Sequence, residues 1–169
     1  MSKITIESVP SFYRGYVNHV MDRNFLDAMH WSSEEMKALI WTLPESKGDY
    51  CYAPGKWTIR EMLGHIIDAE RIFAYRALRF ARNDKTQLSG FDENAYVPES
   101  NVSTRTLKEL MDELSRIRLT SIDLYKSFTP AMLERTGSAN NTEMSVLALA
   151  YIIPGHETHH RTILKTRYL

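Results

Sequence analysis

The apolar positions of this chain fall into four long stretches that step by three and four residues, the spacing of helices that each turn one face to a core. From about Asp22 the series Leu26, Met29, Ser33, Met36, Ile40 and Leu43 predicts a first helix, with Asn24 placed to cap it and Pro44 to end it. Thr58-Ile59-Arg60-Glu61 is a capping box, in which hydroxyl and carboxylate reciprocally satisfy orphan backbone donors. A second helix therefore begins just after Trp57 and runs to about Arg82. Its stripe holds Met62, His65, Ala69, Ile72 and Arg76, widened by Leu63, Ile66, Phe73, Ala77 and Phe80. Another capping box, Thr106-Leu107-Lys108-Glu109, opens a third helix that Pro130 stops. Leu107, Leu110, Leu114, Ile117, Ser121, Leu124 and Phe128 form its seam and are expected to be buried together. The fourth helix starts near Thr142 and carries Val146, Leu149, Ile153, His156, His160 and Ile163 on one face.

Between these stretches the pattern lapses. Residues 1–21 show no sustained period and read as an extended arm with one short helix, packed across the bundle. Glu45 to Lys56 and Thr136 to Asn141 are loops by composition. Asn83 to Ser103 is a crossover long enough to be either a lid or structurally pinned, with Phe91-Asp92 and Tyr96 as its expected anchors. No segment shows a strand pattern, so the prediction is a single all-α domain over residues 1–169, a four-helix bundle. Pro154 falls inside the fourth helix, where it deletes a backbone hydrogen bond at a typical cost of about 3 kcal/mol. Because the seam continues through it in phase, a kink is expected.

Composition narrows the function classes. With 21 basic and 21 acidic side chains in 169 residues, no general field attracts nucleic acid or an anionic membrane, so neither is expected as a partner. The single cysteine, Cys51, cannot form an internal disulfide. There is no signal-peptide core at the N-terminus and no run near the roughly 18 apolar residues of a membrane span. A cytoplasmic protein is expected.

The chemistry gathers on histidines. His156 and His160 are four apart on a core-facing seam, so both imidazoles can reach one ion, and His65 on the second helix can supply a third nitrogen. Glycine stands immediately before His65 and before His156, where a small residue admits a neighbouring backbone or leaves room for a ligand. Three imidazoles leave a coordination position for water or substrate, as catalytic sites do, and they suit zinc or nickel. His159 is expected behind the ligands or at the surface, while His19 and His30 have no partner at useful spacing.

The string His156-Glu157-Thr158-His159-His160 also reads H-E-x-x-H, the metalloprotease pattern. No His, Glu or Asp follows it to complete that site, so the match is read as coincidence. Glu157 then has two roles open, as base toward a water on the ion or as a hydrogen-bond partner of an imidazole, the second preferred. Asp68, one turn from His65, has the same two. Arg76 lies eleven residues past His65, roughly 16 Å along the helix, too far to touch the same ion. Its plainer expected role is an ion pair with a carboxylate on a neighbouring element; its other role is to line the binding cavity, joined there by Asp92 and Tyr96.

Taken together, Tyr52-Ala53-Pro54-Gly55-Lys56-Trp57-Thr58-Ile59-Arg60-Glu61-Met62-Leu63-Gly64-His65-Ile66-Ile67-Asp68-Ala69-Glu70-Arg71, then Tyr75-Arg76-Ala77-Leu78, Gly90-Phe91-Asp92 and Gly155-His156-Glu157-Thr158-His159-His160 resemble the DinB/YfiT-like family over nearly the whole chain. The resemblance implies an up-down-down-up four-helix bundle, a divalent metal on His65, His156 and His160, and frequently a homodimer. It also implies a choice of activities, since the family includes bacillithiol- and mycothiol-dependent transferases, a mycothiol-using isomerase and products of DNA damage responses. The expected function is transfer of a low-molecular-weight thiol, activated at the metal, to an electrophilic substrate. Its rivals are metal-assisted hydrolysis and a non-enzymatic metal-binding bundle linked to stress or DNA damage.

Overall fold

The structure is a computed structural model that describes residues 4–169, so the first three residues of the expected arm lie outside it. Four long helices carry the architecture: α1 (Phe25–Ile40), α2 (Ile59–Ala81), α3 (Leu107–Lys126) and α4 (Val146–Ile163). Asn24 caps α1 by accepting the Leu26 N–H at 3.0 Å, and both capping boxes form, Thr58 with Glu61 and Thr106 with Glu109. α4 continues through Pro154 without interruption, and the Pro154 carbonyl accepts the Thr158 hydroxyl at 2.8 Å.

Helix directions follow from which ends meet. Phe25 faces Tyr151 near the start of α4 while Glu35 pairs with Arg161 near its end, so α1 and α4 run the same way. Phe25 also faces Tyr125 at the end of α3 while Arg118, two turns earlier, reaches the Met29 carbonyl; α1 and α3 are therefore opposed. α2 packs between α3 and α4, parallel to the first and antiparallel to the second. The result is an up-down-down-up bundle. Because α2 and α3 are parallel neighbours, the chain must travel back along the bundle between them, which is the physical reason for the long crossover.

That crossover is pinned. Leu88 exchanges backbone hydrogen bonds with Ser138 and Asn140 at 2.9 and 3.0 Å, Asp92 caps a short helix over Glu93–Glu99, and Val97 and Val102 are buried. Its partner corrects the sequence reading: Thr136–Ala139 (β1) and Thr142–Ser145 (β2) form an antiparallel hairpin where a loop was expected. The turn is Asn140-Asn141, both with positive φ (50° and 56°), which asparagine tolerates and a tight two-residue hairpin turn demands. Four-residue strands carry too little alternation to be read from apolar pattern. α4 consequently starts at Val146, later than expected, capped by Ser145 Oγ, which accepts the Ala148 N–H at 3.0 Å.

The seam of α3 differs from its expected course beyond Leu114. Leu107, Leu110, Leu114, Ser121 and Phe128 are buried, but Ile117 and Leu124 are only partly so. In place of Ile117 and Leu124 the buried line takes in Arg118, Ile122 and Tyr125, in keeping with a straight helix, where an alternating three-four series drifts by about 20° per heptad. Arg118 thus enters the middle of the bundle with 1% of its surface exposed. It donates to both oxygens of Glu70 at 2.8 and 2.9 Å, to the Met29 carbonyl at 2.7 Å and to Ser32 Oγ at 2.7 Å, and lies 2.9 Å from Glu157 Oε2. One side chain from each helix, Ser32, Glu70, Arg118 and Glu157, meets in this polar layer. Met29, Phe73, Ile122 and Ile153 belong to the apolar cluster on one side of it; Met36, Ile67, Leu114 and Leu164 belong to the cluster on the other.

Removing the cation alone strands two buried carboxylates, which should be worse than removing the whole layer. Arg118→Met is expected to lose about 3–5 kcal/mol in reversible urea denaturation, with most of it regained when Glu70→Gln and Glu157→Gln are added. A loss below about 1 kcal/mol for Arg118→Met would mean that the layer does not hold the helices in register.

Candidate metal centre

The polar layer sets the height of three imidazoles. His156 precedes Glu157 on α4, and His65 lies five residues before Glu70 on α2, so the groups that hold Arg118 also align the two helices at the histidines. The Nε2 atoms of His65 and His156 stand 3.0 Å apart, and those of His160 and His156 stand 3.1 Å apart. His156 and His160 are buried, His65 partly so. The two glycines act by close approach. A Cβ on Gly155 would lie 2.4 Å from the Tyr16 carbonyl oxygen, and one on Gly64 would lie 2.6 Å from a methyl carbon of Val102. The N-terminal arm therefore crosses directly over α4, with its Tyr16 ring 5.3 Å from the His156 ring, and the end of the crossover presses on α2. Trp57 and Phe73 complete the aromatic surround, 4.8 Å from His65 and 5.9 Å from His156.

Burial dominates the electrostatics. It pushes His65 down to about 4, an effect that Glu93 opposes, and His160 down to about 3, helped by the neighbouring His65 and His159. Burial and the adjoining rings hold His156 well below the ordinary imidazole range. At neutral pH all three rings are uncharged and carry one donor and one acceptor nitrogen each. Three Nε2 atoms converging on one point cannot satisfy one another as donors and acceptors, and the buried His160 Nδ1 has no hydrogen-bond partner among the described residues. A cation would satisfy the three lone pairs together. Nitrogens at zinc–imidazole distance around a tetrahedral ion are roughly 3.3 Å apart, close to the 3.0 and 3.1 Å that separate the His156 nitrogen from those of His65 and His160. The donor set fits a divalent ion, and no fourth side-chain ligand belongs to the cluster among the described residues.

The other expected site residues separate. Glu157 turns away from the expected place: its carboxylate is fully buried against Arg118 and is not part of the imidazole cluster. The charge of Arg118 on the next helix, invisible to local spacing, turned it inward. Asp68 also stays outside the cluster and lies 3.7 Å from Arg71. Arg76 has no carboxylate within ion-pair distance among the described residues, against its plainer expectation; it lines a cleft of about 130 Å³ with Tyr16, His65, Phe73, Glu93 and His156. Asp92 is spent on capping the Glu93–Glu99 helix, and Tyr96 packs on Phe91 beside an adjoining hollow rather than in this cleft. His159 turns toward Tyr16 and His19, and His30 is exposed. Sequence reasoning missed Glu93, Tyr16 and Phe73. Glu93 and Tyr16 sit on the crossover and the arm, where no period announces a facing residue, and Phe73 read simply as core. A second opening reaches His160 between Tyr52, Lys56, Trp57 and Tyr168.

Comparison with known proteins bears on the family and the fold. Residues 28–164 match the DinB superfamily. A protein of Oceanobacillus iheyensis named "Putative metal-dependent hydrolase" is 26% identical over 123 residues, which span 68% of this chain and 66%, just under two thirds, of that relative. In fold the chain is similar to YfiT from Bacillus subtilis, described as a probable metal-dependent hydrolase with an unusual four-helix bundle topology. The TM-score is 0.72 at 16% identity, covering 80% of this chain and 79% of that one. It is also similar to a mycothiol-dependent maleylpyruvate isomerase, with a TM-score of 0.69 at 10% identity over 94% of this chain and 62% of that one.

The depressed imidazoles predict how the metal-free protein responds to acid. An unfolded histidine titrates near 6.5. Between that value and the folded values of about 4 and about 3 for His65 and His160, the unfolded chain binds more protons than the folded one. Their contribution is therefore complete above pH 6.5 and falls as the pH drops below it, by up to about 1.4 kcal/mol per pH unit for each group. Urea denaturation of chelator-treated protein at pH 7.5 and pH 5 should show this loss, and His65→Gln should reduce it. Equal stability at both pH values would contradict the buried, neutral cluster.

Proposed function

Because the chain belongs to the DinB superfamily, we propose that it is a metal-dependent enzyme whose divalent ion, zinc or nickel, is held by His65, His156 and His160. The reaction we assign is transfer of a low-molecular-weight thiol to an electrophilic substrate. The observation that carries it is the access to the cluster. One cleft reaches His65 and His156 under Tyr16 and Phe73, and a separate opening reaches His160 beside Lys56 and Trp57. Thiol transfer brings two organic reactants to one centre, and two approaches suit it; hydrolysis needs only one besides water. The chain's own thiol, Cys51, is exposed and lines neither opening, so the nucleophile comes from outside.

When bound, the ion would lower the pKa of a thiol and present it as a thiolate at neutral pH. The chain supplies the remainder. The three imidazoles, neutral through burial, need no deprotonation to act as ligands. Glu93 is the carboxylate in the cleft, near enough to His65 to influence its titration, and takes the proton that the thiol gives up. Tyr16, Phe73 and Trp57 limit water around the reacting atoms. Hydrolysis is the second reading, favoured by the names of two of the similar proteins and by the same Glu93, which could equally accept a proton from water.

Cobalt substitution separates the two. Small thiols added to the Co²⁺ protein should give a sulfur-to-cobalt charge-transfer band that saturates with thiol and survives Cys51→Ser, and Glu93→Gln should shift the pH at which the band appears. A spectrum that ignores every cellular thiol but changes with pH would favour hydrolysis. A spectrum indifferent to both would leave only a non-enzymatic metal-binding bundle.

A further inference from the structure

We propose that Arg76 is the anchor for a carboxylate on the organic substrate, so that the cleft selects small organic acids whose reactive centre lies a few bonds from the acid group. The inference rests on reading the cleft as the substrate site, and it concerns what that site recognises.

Four arginines are buried among the described residues, and three of them have acidic partners. Arg118 holds Glu70 and Glu157, Arg60 holds Glu45 and Asp49, and Arg161 pairs with Glu35. Arg76, with only 3% of its surface exposed, has none. Among the described residues, its one hydrogen bond runs from Nη2 to the Ser89 carbonyl at 3.2 Å, leaving most of the five guanidinium donors without an acceptor there. Those nitrogens are not sealed into the core, and the residue lines the cleft that opens on His65 and His156. Burying an unpaired guanidinium is expensive, and a protein that pairs every other buried arginine has left this one facing a cavity.

The surroundings strengthen an anion's hold. The guanidinium carbon lies 5.9 Å from the ring of Phe73 and 5.9 Å from that of Phe91, so a charge bound there is shielded from water. Glu93 shares the cleft but stands outside ion-pair distance of Arg76, and its field is felt at His65 and Tyr16. Among the described residues, no lysine and no second arginine joins Arg76 in the cleft. A single planar fork matches a carboxylate, taken by two parallel hydrogen bonds, better than a phosphate dianion. Phe73 lies between the two ends of the site, with its ring 5.9 Å from that of His156 as well. A ligand anchored at Arg76 therefore has to extend past one aromatic ring to reach the imidazoles, which sets the distance between its acid and its reactive atom.

The test uses 3-phenylpropionate and its neutral counterpart 3-phenylpropanamide, titrated into the full-length protein both chelator-treated and zinc-loaded, with binding read by calorimetry and by the Arg76 Nε–H resonance. The acid should bind on the order of 10–100-fold tighter than the amide in both forms, the range a charge-assisted hydrogen bond supplies. That ratio should fall to near one in Arg76→Met and partly recover in Arg76→Lys. The wild-type resonance should move with the acid and not with the amide, a readout that stands even where a variant fails to fold. A ratio near one in the wild type, a ratio unchanged in Arg76→Met, or a preference seen only with zinc present would overturn the proposal, the last because the acid would then be held by the ion. Discrimination by a protein that takes up no zinc would refute the metal-enzyme reading and leave the Arg76 site standing; zinc uptake without discrimination would do the reverse.

Discussion

The guanidinium of Arg118 is the constraint that the bundle is organised around. Withdrawing that charge from water costs several kcal/mol unless its nitrogens find acceptors, and here the acceptors come from all three other helices. Apolar seams alone would let a helix slide by a turn with little penalty. A shift of α2 or α4 by a turn would strip Glu70 or Glu157 from the cation. The burial that raises the Glu157 carboxyl is opposed by Arg118, and the two carboxylates hold the Arg118 pKa above its ordinary value against the burial that works to lower it. A buried ionic layer of this kind specifies register more than it adds stability. His65 and His156 inherit that register, since each sits within five residues of a carboxylate in the layer.

Topology then supplies the roof of the site. With α2 and α3 parallel, the connection between them has to return along the bundle, and it brings Gly90, Phe91 and Glu93 to the cleft as it passes. The N-terminal arm covers the other side, held down where Gly155 lets the Tyr16 backbone touch α4. The three imidazoles and Arg76 thus stand on two rigid helices, while Tyr16, Phe91 and Glu93, which close the cleft over them, stand on segments anchored to those helices. Anchorage is firm at both places: Leu88 is hydrogen-bonded to the β1–β2 hairpin, and Val17 and Val20 of the arm are buried.

How much of this the sequence disclosed depends on whether the deciding interaction was local. Capping boxes join residues three apart, so the starts of α2 and α3 were legible to the residue. The i, i+4 spacing of His156 and His160 put both on one face, and the glycines flagged the close approaches around them. Arg118 was not legible, because a charged residue between Leu114 and Ile122 reads as solvent-facing until its partners, 48 and 39 residues away in Glu70 and Glu157, are known. The same long-range pairing, hidden from local spacing, is what sets the place of Glu157. Arg76 failed in the opposite sense, since an ion pair was the natural expectation for a core-facing arginine and the fold provides no acid for it. The hairpin escaped because its strands are short, although Asn140-Asn141 carried the turn signal.

Elemental analysis of the purified protein tests the central claim most directly, namely that the three converging imidazoles are a metal centre. The wild type and His159→Ala should each carry about one divalent ion per chain, and His156→Ala should carry almost none while its circular dichroism remains helical, as expected when one of three ligands is removed from an otherwise intact site. Full metal content in a folded His156→Ala variant, or a wild type that takes up no divalent ion on titration, would contradict the account.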